Sequence, residues 1–166
     1  MPKDKIQILS SGYVFIEEGV VSVESKLLEM LDNTAHELFI IMYTISAKPE
    51  NFWNKLENLL KNSVQVNFVI EGSIQHSTKT TDILNRLQKY ENFNLYFYSD
   101  RNPLHAKLIV SDGKRAILGS ANISGGGLVQ NHEIAVYIEG EKAWTLKKLA
   151  KRLIRMLSNE NNLSNL

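Results

Sequence analysis

The segment Glu37–Ile45, with the sequence ELFIIMYTI, is the feature that most narrows the folds open to this chain. It is rich in β-branched residues and apolar on both faces, as is typical of a central strand in a parallel sheet covered by helices on both sides. Helix-like segments, with apolar residues every three or four positions, alternate with strand-like segments around it. The pattern predicts an α/β fold with a mixed, mostly parallel sheet flanked by helices.

The predicted elements run as alternating strands and helices, then a group of short strands, then a closing helix. The helices are predicted at Val23–Ala35, Asn51–Lys61, Thr81–Tyr90 and Trp144–Leu157. The strands are predicted at Tyr13–Glu17, Glu37–Ile45, Val64–Ile70 and Asn94–Tyr98, and in the segments HAKLIV, RAIL and EIAVYI. Trp53 and Trp144 lie in apolar helical patterns, so both are expected in the core.

Length and composition exclude several classes of protein. The 166 residues suit one domain, which we expect over residues 1–157, followed by a polar tail or linker over 158–166. The absence of cysteine excludes a disulfide scaffold, a thiolate nucleophile and a cysteine-ligated metal centre. A net charge of +1 gives no general attraction to polyanions, so a polyanion would need a local patch. No run is apolar enough for a membrane span or secretory signal, which favours a cytoplasmic location.

The residues that carry chemistry are concentrated in one stretch of the C-terminal half. His105 and Lys107 are two positions apart, so they share a face if the backbone is extended, and the same holds for Ser120 and Asn122. The dipeptide Asp112-Gly113 favours a tight hairpin turn that would bring Asn122 near His105. An imidazole, an ammonium, an amide and a hydroxyl then converge, and such a group suits a phosphate.

Together these residues resemble the HKD signature of the phospholipase D superfamily, HxKx4D followed by GSxN. The chain matches it at every specified position, with His105, Lys107, Asp112, Gly119, Ser120 and Asn122. The downstream Glu133 looks like the acidic residue that orients the active histidine in this family. The other histidines (His36, His76 and His132) lack a lysine two residues on, so the chain holds one motif. The resemblance implies the single-motif branch of homodimeric phosphodiesterases, which includes small endonucleases and catalytic domains of restriction enzymes.

The resemblance also implies a mechanism without a metal ion or cofactor, and nucleic acid, DNA above all, as the substrate. His105 of one subunit would form a covalent phosphohistidine while His105 of the other protonates the leaving oxygen. Lys107 and Asn122 would stabilise charge on the phosphoryl oxygens, and Ser120 would support the site. The remaining members of the motif are expected to be structural: Asp112 and Gly119.

Several other features admit a functional and a structural interpretation. Three cations near the motif are candidates for contacting a polyanionic substrate: Arg101, Lys114 and Arg115. The closing helix carries a basic stripe that either contacts phosphates or is simply solvated: Lys142, Lys147, Lys148, Lys151, Arg152 and Arg155. The turn at residues 124–127 lacks the Lys-Ser/Thr pair of a phosphate-binding loop, which favours a flexible turn between strands. The resemblance implies that this turn borders the substrate groove. His36 and His132 are expected to be structural, and His76 lies in a loop where substrate contact is a minor alternative.

Two further functions stay open. A phospholipid hydrolase or phosphatidyl transferase would use the same chemistry, but the sequence shows no amphipathic membrane anchor. A non-catalytic module for nucleic-acid binding and dimerisation, inside a restriction or helicase system, would have no need of the intact His105. In either nucleic-acid role, a target-recognition or helicase domain, fused or separate, is an expected partner.

Overall fold

The computed structural model describes residues 4–163, with the backbone alone for residues 16–18 and 159–163. It contains eight strands: β1 (Lys5–Ser11), β2 (Val21–Ser22), β3 (Glu37–Met42), β4 (Gln65–Glu71), β5 (Phe93–Tyr98), β6 (Leu108–Ser111), β7 (Arg115–Gly119) and β8 (Glu133–Glu139). It contains four α-helices: α1 (Val23–Asp32), α2 (Glu50–Lys61), α3 (Thr78–Leu87) and α4 (Glu141–Leu163). A 3₁₀ helix spans Tyr13–Glu18, and a single π-helical turn spans Gly126–Gln130.

The described strands form one mixed sheet in the order β2-β1-β8-β7-β6-β3-β4-β5. Six of them run in one direction, and β6 and β8 run in the other. The reversed strands each lie between two others, so only three of the seven neighbouring pairs are parallel. The mixed sheet with flanking helices is therefore confirmed, and its parallel pairs lie at the two edges, β2–β1 at one and β3–β4–β5 at the other.

Helices cover both faces of the sheet. One core, the larger, lies under α1, α2 and α3 and includes Leu27, Trp53 and Leu87. The other lies under α4 and includes Phe39 and Val110. Because β3 is buried on both sides, its near-continuous apolar sequence is explained by its place between the two cores.

Local sequence sets the helix starts and the hairpin. The side chain of Ser22 caps α1 by accepting a hydrogen bond from the backbone N–H of Ser25, at 3.0 Å. The turn between β6 and β7 has positive φ at Asp112 (53°) and Gly113 (63°), as tight hairpin turns require. The hairpin predicted from the Asp-Gly dipeptide is therefore confirmed.

Three sequence expectations are wrong. The segment predicted as a strand at Tyr13–Glu17 is a 3₁₀ helix, and the actual first strand, Lys5–Ser11, lies just before it. Trp144 is 50% exposed, because its ring lies over the turn at Gly113 and beside the Lys147 ammonium and not in either core. The closing helix does not end at Leu157 but continues through Leu163, so part of the expected tail is helical.

Within residues 4–163, no helix combines the length and the apolar character that crossing a membrane requires.

Candidate functional site

The signature residues meet at one end of the sheet, which we call the site end. Here β3, β4 and β7 finish, while the reversed strands β6 and β8 begin. His105 and Lys107 lie just before β6, Ser120 and Asn122 just after β7, and Glu133 is the first residue of β8. The alternation of strand direction thus brings together residues that are up to 28 positions apart in sequence.

His105 and Lys107 form the centre of the site. The Lys107 ammonium donates a hydrogen bond to the His105 backbone carbonyl at 2.8 Å and lies 3.3 Å from Nδ1 of the His105 ring. The two residues precede β6, although the predicted strand HAKLIV included them, and Ala106 between them is exposed. The backbone carbonyl of Lys107 accepts from the N–H of Gly119 at 3.3 Å, which ties the segment to β7.

Lys107 is a buried cation, with only 7% of its surface exposed. Its stem lines an apolar pocket that also includes Met42, Ala121 and Leu128. Burial lowers the pKa of Lys107, and the negative charge of Glu133 offsets part of this effect. The site therefore holds an ammonium in surroundings where an anion would stabilise its charge.

Tyr43 is a member of this cluster that sequence reasoning missed. Its ring centre lies 4.7 Å from that of His105, with the two planes inclined by 52°. The Lys107 ammonium lies 5.3 Å from the same ring centre, within the range of a cation–π contact. Tyr43 directly follows β3, and an aromatic residue at the carboxyl end of a buried strand was the signal that could have identified it.

Ser120, Gly119 and Glu133 form the wall of the site on β7 and β8. The Ser120 hydroxyl donates a short hydrogen bond to Oε2 of Glu133, and it accepts one from the backbone N–H of Ile134 at 3.2 Å. A Cβ atom on Gly119 would lie 2.5 Å from Cβ of Ala135, so only glycine allows β7 and β8 to approach this closely. Gly119 therefore allows the close approach of β7 and β8, and Ser120 holds the carboxylate of Glu133 by a hydrogen bond.

Glu133 does not contact His105 directly. Of the hydrogen bonds described in residues 4–163, those to its carboxylate come from Ser120 and from Asn131, at 3.4 Å. Its expected role in orienting a histidine therefore stays a prediction, while its charge acts on Lys107.

Asn122 is fixed by a backbone contact. Its side-chain oxygen accepts from the backbone N–H of Thr44 at 3.3 Å, which leaves the NH₂ group as the donor available to an anion. Gly127, in the glycine-rich turn, packs directly against the backbone of Asn122, where a Cβ would collide with Asn122. The turn therefore lies directly beside Asn122.

Asp112 lies at the far end of the sheet and holds the backbone together there. Its carboxylate accepts hydrogen bonds from the backbone N–H groups of Ala35, His36 and Glu37 at 2.8–3.0 Å. Burial acts to raise the pKa of Asp112, but these hydrogen bonds outweigh it and leave the pKa below its usual value. The structural role expected of Asp112 agrees with this position, although it anchors the start of β3 as well as the hairpin.

The other candidate residues divide by position. Lys114 and Arg115 flank the far turn, and Arg115 donates to the carbonyl of Asn33 at 2.9 Å, so neither lies at the site end. The five residues of β7 separate them from the site by roughly 15 Å at about 3.3 Å per residue, so they are not as close to the site as expected. Their contact with a polyanionic substrate stays a prediction. Arg101 is exposed in the segment leading to His105, so it remains a candidate.

Among the contacts described in residues 4–163, none joins the remaining histidines or the basic stripe to His105 or Lys107. His132 packs against the ring of Tyr13, and burial lowers the pKa of His76 in its loop. On α4, Lys147 is buried and pairs with Glu37, whereas Lys142 pairs with Asp4 and stays exposed. The exposed part of the stripe is Lys142, Lys148, Lys151, Arg152 and Arg155. Over the part of the chain that the structure describes, no three His, Asp or Glu side chains group as metal ligands.

Comparison with known proteins identifies similar sequences. A family model described as "Cardiolipin synthase, PLD-like domain" matches residues 27–158. The DISARM protein DrmC of Bacillus paralicheniformis is 27% identical over 130 residues. That match takes in 76% of this chain and 54% of DrmC, so the chain spans about half the length of this curated relative.

Solved structures share the fold. Nuc from Salmonella typhimurium, a phospholipase D family member, gives a TM-score of 0.71 at 20% identity, covering 96% of this chain and 95% of Nuc. NucT from Helicobacter pylori gives 0.74 at 15% identity, covering 92% and 97%. The phosphatidylserine synthase of Haemophilus influenzae Rd KW20 gives 0.70 at 13% identity, covering 93% of this chain and 39% of the synthase. At these identities the likeness concerns the fold.

Proposed function

The chain belongs to the phospholipase D-like domain family, and from this premise we propose that it is a metal-independent nuclease acting through a covalent phosphohistidine. The observation that carries the proposal is the grouping of His105, Lys107 and Asn122 at the site end. His105 is exposed, so a phosphodiester can reach it, while the buried Lys107 and the Asn122 amide offer donors for the phosphoryl oxygens.

The proposed reaction proceeds in two displacements. Nε2 of His105, the ring nitrogen away from Lys107, attacks phosphorus, and the N–P bond forms as the bond to the leaving oxygen breaks. That oxygen takes a proton from a second imidazole. The second imidazole then removes a proton from water, which attacks phosphorus and releases His105. Charge on the phosphoryl oxygens is greatest during each displacement, when Lys107 and Asn122 contribute most.

The second imidazole is proposed to come from a second copy of the chain, since the motif supplies a single histidine. An apolar surface beside the site supports this pairing. This surface, which we call the open face, lies on β1, β7 and β8. It is on the same side of the sheet as α4, in a part that α4 does not cover. Its residues are all exposed: Ile6, Ile8, Leu118 and Ile134. Leu118 is two residues from Ser120, so a two-fold axis near the open face would bring two sites together.

The proposal is tested by incubating the protein with labelled single-stranded DNA, duplex DNA, RNA and phosphatidyl lipid vesicles, each in excess EDTA. We expect cleavage of nucleic acid by the wild type and none by His105→Ala. Trapping of a ³²P-labelled phosphoenzyme at acid-stopped time points should likewise disappear in His105→Ala. Activity that vanishes in EDTA and returns with magnesium would refute metal independence, and turnover of lipid alone would refute the nuclease assignment.

A phospholipid substrate is the second candidate, because the matching family is described by cardiolipin synthase and a phosphatidylserine synthase shares the fold. Both nucleic acid and phospholipid present a phosphodiester to the same groups, so the site chemistry alone serves either. The lipid arm of the experiment above separates the two.

We further propose that the chain works within a larger restriction or helicase system. The support is the similarity to DrmC, of which the chain matches about half. Target recognition would then come from another domain or subunit, such as a helicase. Co-purification of a tagged chain with proteins encoded beside it, before and after nuclease treatment, tests this arrangement.

A further inference from the structure

Glu71, the last residue of β4, is a buried carboxylate at the site end that belongs to no part of the signature. It is 1% exposed. Its Oε1 accepts a hydrogen bond from the backbone N–H of Ser73 at 3.0 Å, and its Oε2 accepts one from the backbone N–H of Leu104 at 2.6 Å. Leu104 is the residue immediately before His105.

The carboxylate is held in its charged form by these donors. Burial acts to raise the pKa of Glu71, but the hydrogen bonds from Ser73 and from the Leu104 N–H outweigh it and lower the pKa below its usual value. Among the described residues, no lysine or arginine forms an ion pair with Glu71. A buried charge satisfied by backbone N–H groups fixes the position of the backbone that supplies them.

The segment between β5 and β6 depends on such contacts because it has no regular secondary structure. It runs from residue 99 to residue 107 and carries His105. Two hydrogen bonds flank His105. On one side the Leu104 N–H donates to Glu71, and on the other the Gly119 N–H donates to the Lys107 carbonyl. The first joins the segment to β4 and the second joins it to β7, so the exposed imidazole lies between two anchors.

We propose that Glu71 is a positioning residue that fixes the place of His105 through the backbone of Leu104. This inference rests on the proposed function, since it assigns to Glu71 the placement of the attacking imidazole. A nucleophile displaced by about 1 Å can lose roughly 10²-fold in rate. Loss of the anchor should therefore reduce kcat and leave substrate binding by the other groups largely intact.

Asp112 provides a matched control. It is also a carboxylate that accepts backbone N–H groups and has a lowered pKa, but it lies at the far end of the sheet. Glu71→Gln and Asp112→Asn each remove one such charge with almost no change in volume. If both groups only stabilise the fold, both variants will lower Tm and neither will change kcat per folded molecule.

The experiment measures kcat and KM on a labelled oligonucleotide, together with Tm, for the wild type and both variants. We expect kcat of Glu71→Gln to fall by about 10- to 100-fold with KM within about two-fold of the wild type, and kcat of Asp112→Asn to stay unchanged. Leu104→Pro, which removes the donor and leaves the carboxylate, should reproduce the loss if Glu71→Gln folds poorly. Wild-type kcat in either site-end variant, or an equal fall in Asp112→Asn, would overturn the proposal.

A second readout separates this proposal from the nuclease assignment. The rings of His105 and Tyr43 are close enough for a proton NOE by NMR in the free protein. We expect the NOE in the wild type and in Asp112→Asn, and its weakening or loss in Glu71→Gln. If the wild type cleaves neither nucleic acid nor lipid, the proposed function fails, yet this NOE still decides whether Glu71 positions His105. An unchanged NOE in Glu71→Gln would show that it does not.

Discussion

Lys107 carries the charge that the proposed mechanism needs, in an environment that is unfavourable for that charge. Its ammonium is buried, and burial lowers its pKa, so folding works against the charged form at neutral pH. A lysine with a lowered pKa contributes more stability as the pH rises, because deprotonation is easier in the folded state than in the unfolded one. The charge of Lys107 therefore lowers the stability of the folded protein, and a bound substrate phosphate can neutralise this charge.

Replacing Lys107 by methionine should therefore separate stability from activity. Lys107→Met keeps the apolar stem and removes the charge, so we expect Tm to rise by roughly 2–4 °C, the change that about 1 kcal/mol produces in a domain of this size. Turnover should fall by about 10²–10³-fold, as for the loss of one donor to transition-state charge. Calorimetry measures the change in Tm, and single-turnover kinetics measures the change in rate. A lower Tm would show that the Lys107 charge stabilises the folded protein.

Asp112 should make stability sensitive to acid. Its pKa is lowered in the folded state, so its contribution is complete above the ordinary carboxylate pKa and is lost as the pH falls through the folded value. We expect Asp112→Asn to lose about 2 kcal/mol at pH 7, as for hydrogen bonds to a charged group. The difference between wild type and variant should shrink below about pH 4. Urea unfolding at pH 7 and pH 3 tests this; an equal difference at both would contradict it.

At this scale the sequence predicted the motif well and its surroundings poorly. The spacing of His105, Lys107 and Asn122 located the site, because fixed offsets on short strands leave little freedom. Tyr43 was missed because it is 62 positions from His105 and meets it only through the pairing of β3 with β6. Lys114 was misplaced because sequence proximity to a motif does not reveal which end of a strand a residue occupies.

Two neighbouring strands, β7 and β8, depend on Gly119. Because a Cβ there would meet Cβ and Cα of Ala135 and the carbonyl of Ile134, all within 2.6 Å, the strands must separate to accept a side chain. We expect Gly119→Ala to cost about 1–3 kcal/mol and to lower activity by displacing Ser120 from Glu133. Urea unfolding and turnover measure the two effects.

Gly126→Ala is the control for this substitution. A Cβ on Gly126 would meet only the side chain of Asn131, at 3.2 Å or more, and the turn has no positive φ at that residue. We expect Gly126→Ala to change stability by less than about 0.5 kcal/mol. Equal losses in the two variants would mean that the close approach of β7 and β8 is not what Gly119 provides.

The elements themselves were largely predictable from periodicity. α1, α2 and β3 begin within one residue of the expected positions, since each has a distinct apolar pattern. β1 was missed because its exposed Ile6 and Ile8 alternate with residues of mixed character, so no buried stripe stands out. The apolar pattern that the sequence assigned to Tyr13–Glu17 belongs instead to a 3₁₀ helix.

For the whole molecule, the open face predicts how two chains assemble. Ile8 lies on the open face and is 54% exposed. It is on β1, which two strands separate from β6, so a charge there should leave the His105 cluster of its own chain intact. We expect Ile8→Lys to give a folded monomer with little activity, because the second imidazole is lost. Sedimentation velocity, circular dichroism and turnover measure assembly, fold and activity.

Leu149→Lys is the matched control for Ile8→Lys. Leu149 is 58% exposed on α4, outside the open face, so the same substitution should leave both the dimer and the activity unchanged. A dimeric Ile8→Lys would show that the chains associate through another surface.

A shared site also predicts a particular dependence on subunit mixing. When wild-type chains exchange with an excess of His105→Ala chains, each mixed dimer holds one imidazole and should be inactive. Activity should then fall as the square of the wild-type fraction. A linear fall would show that each chain works alone, and the shared mechanism would have to be abandoned.

The pairing of β1 with β8 has a consequence for how the chain is made. Of the described strands, β1 leaves the ribosome first, yet it pairs along its whole length with β8, which is made last and begins at Glu133. Until β8 has been synthesised, β1 has no partner there, β7 lacks one neighbour, and the wall that holds Glu133 does not exist. Strands that are this far apart in sequence pair slowly during folding. Until then, β1 exposes an unpaired edge together with Ile6 and Ile8. The site should therefore remain chemically inert, and the nascent chain dependent on chaperones, until β8 has been synthesised.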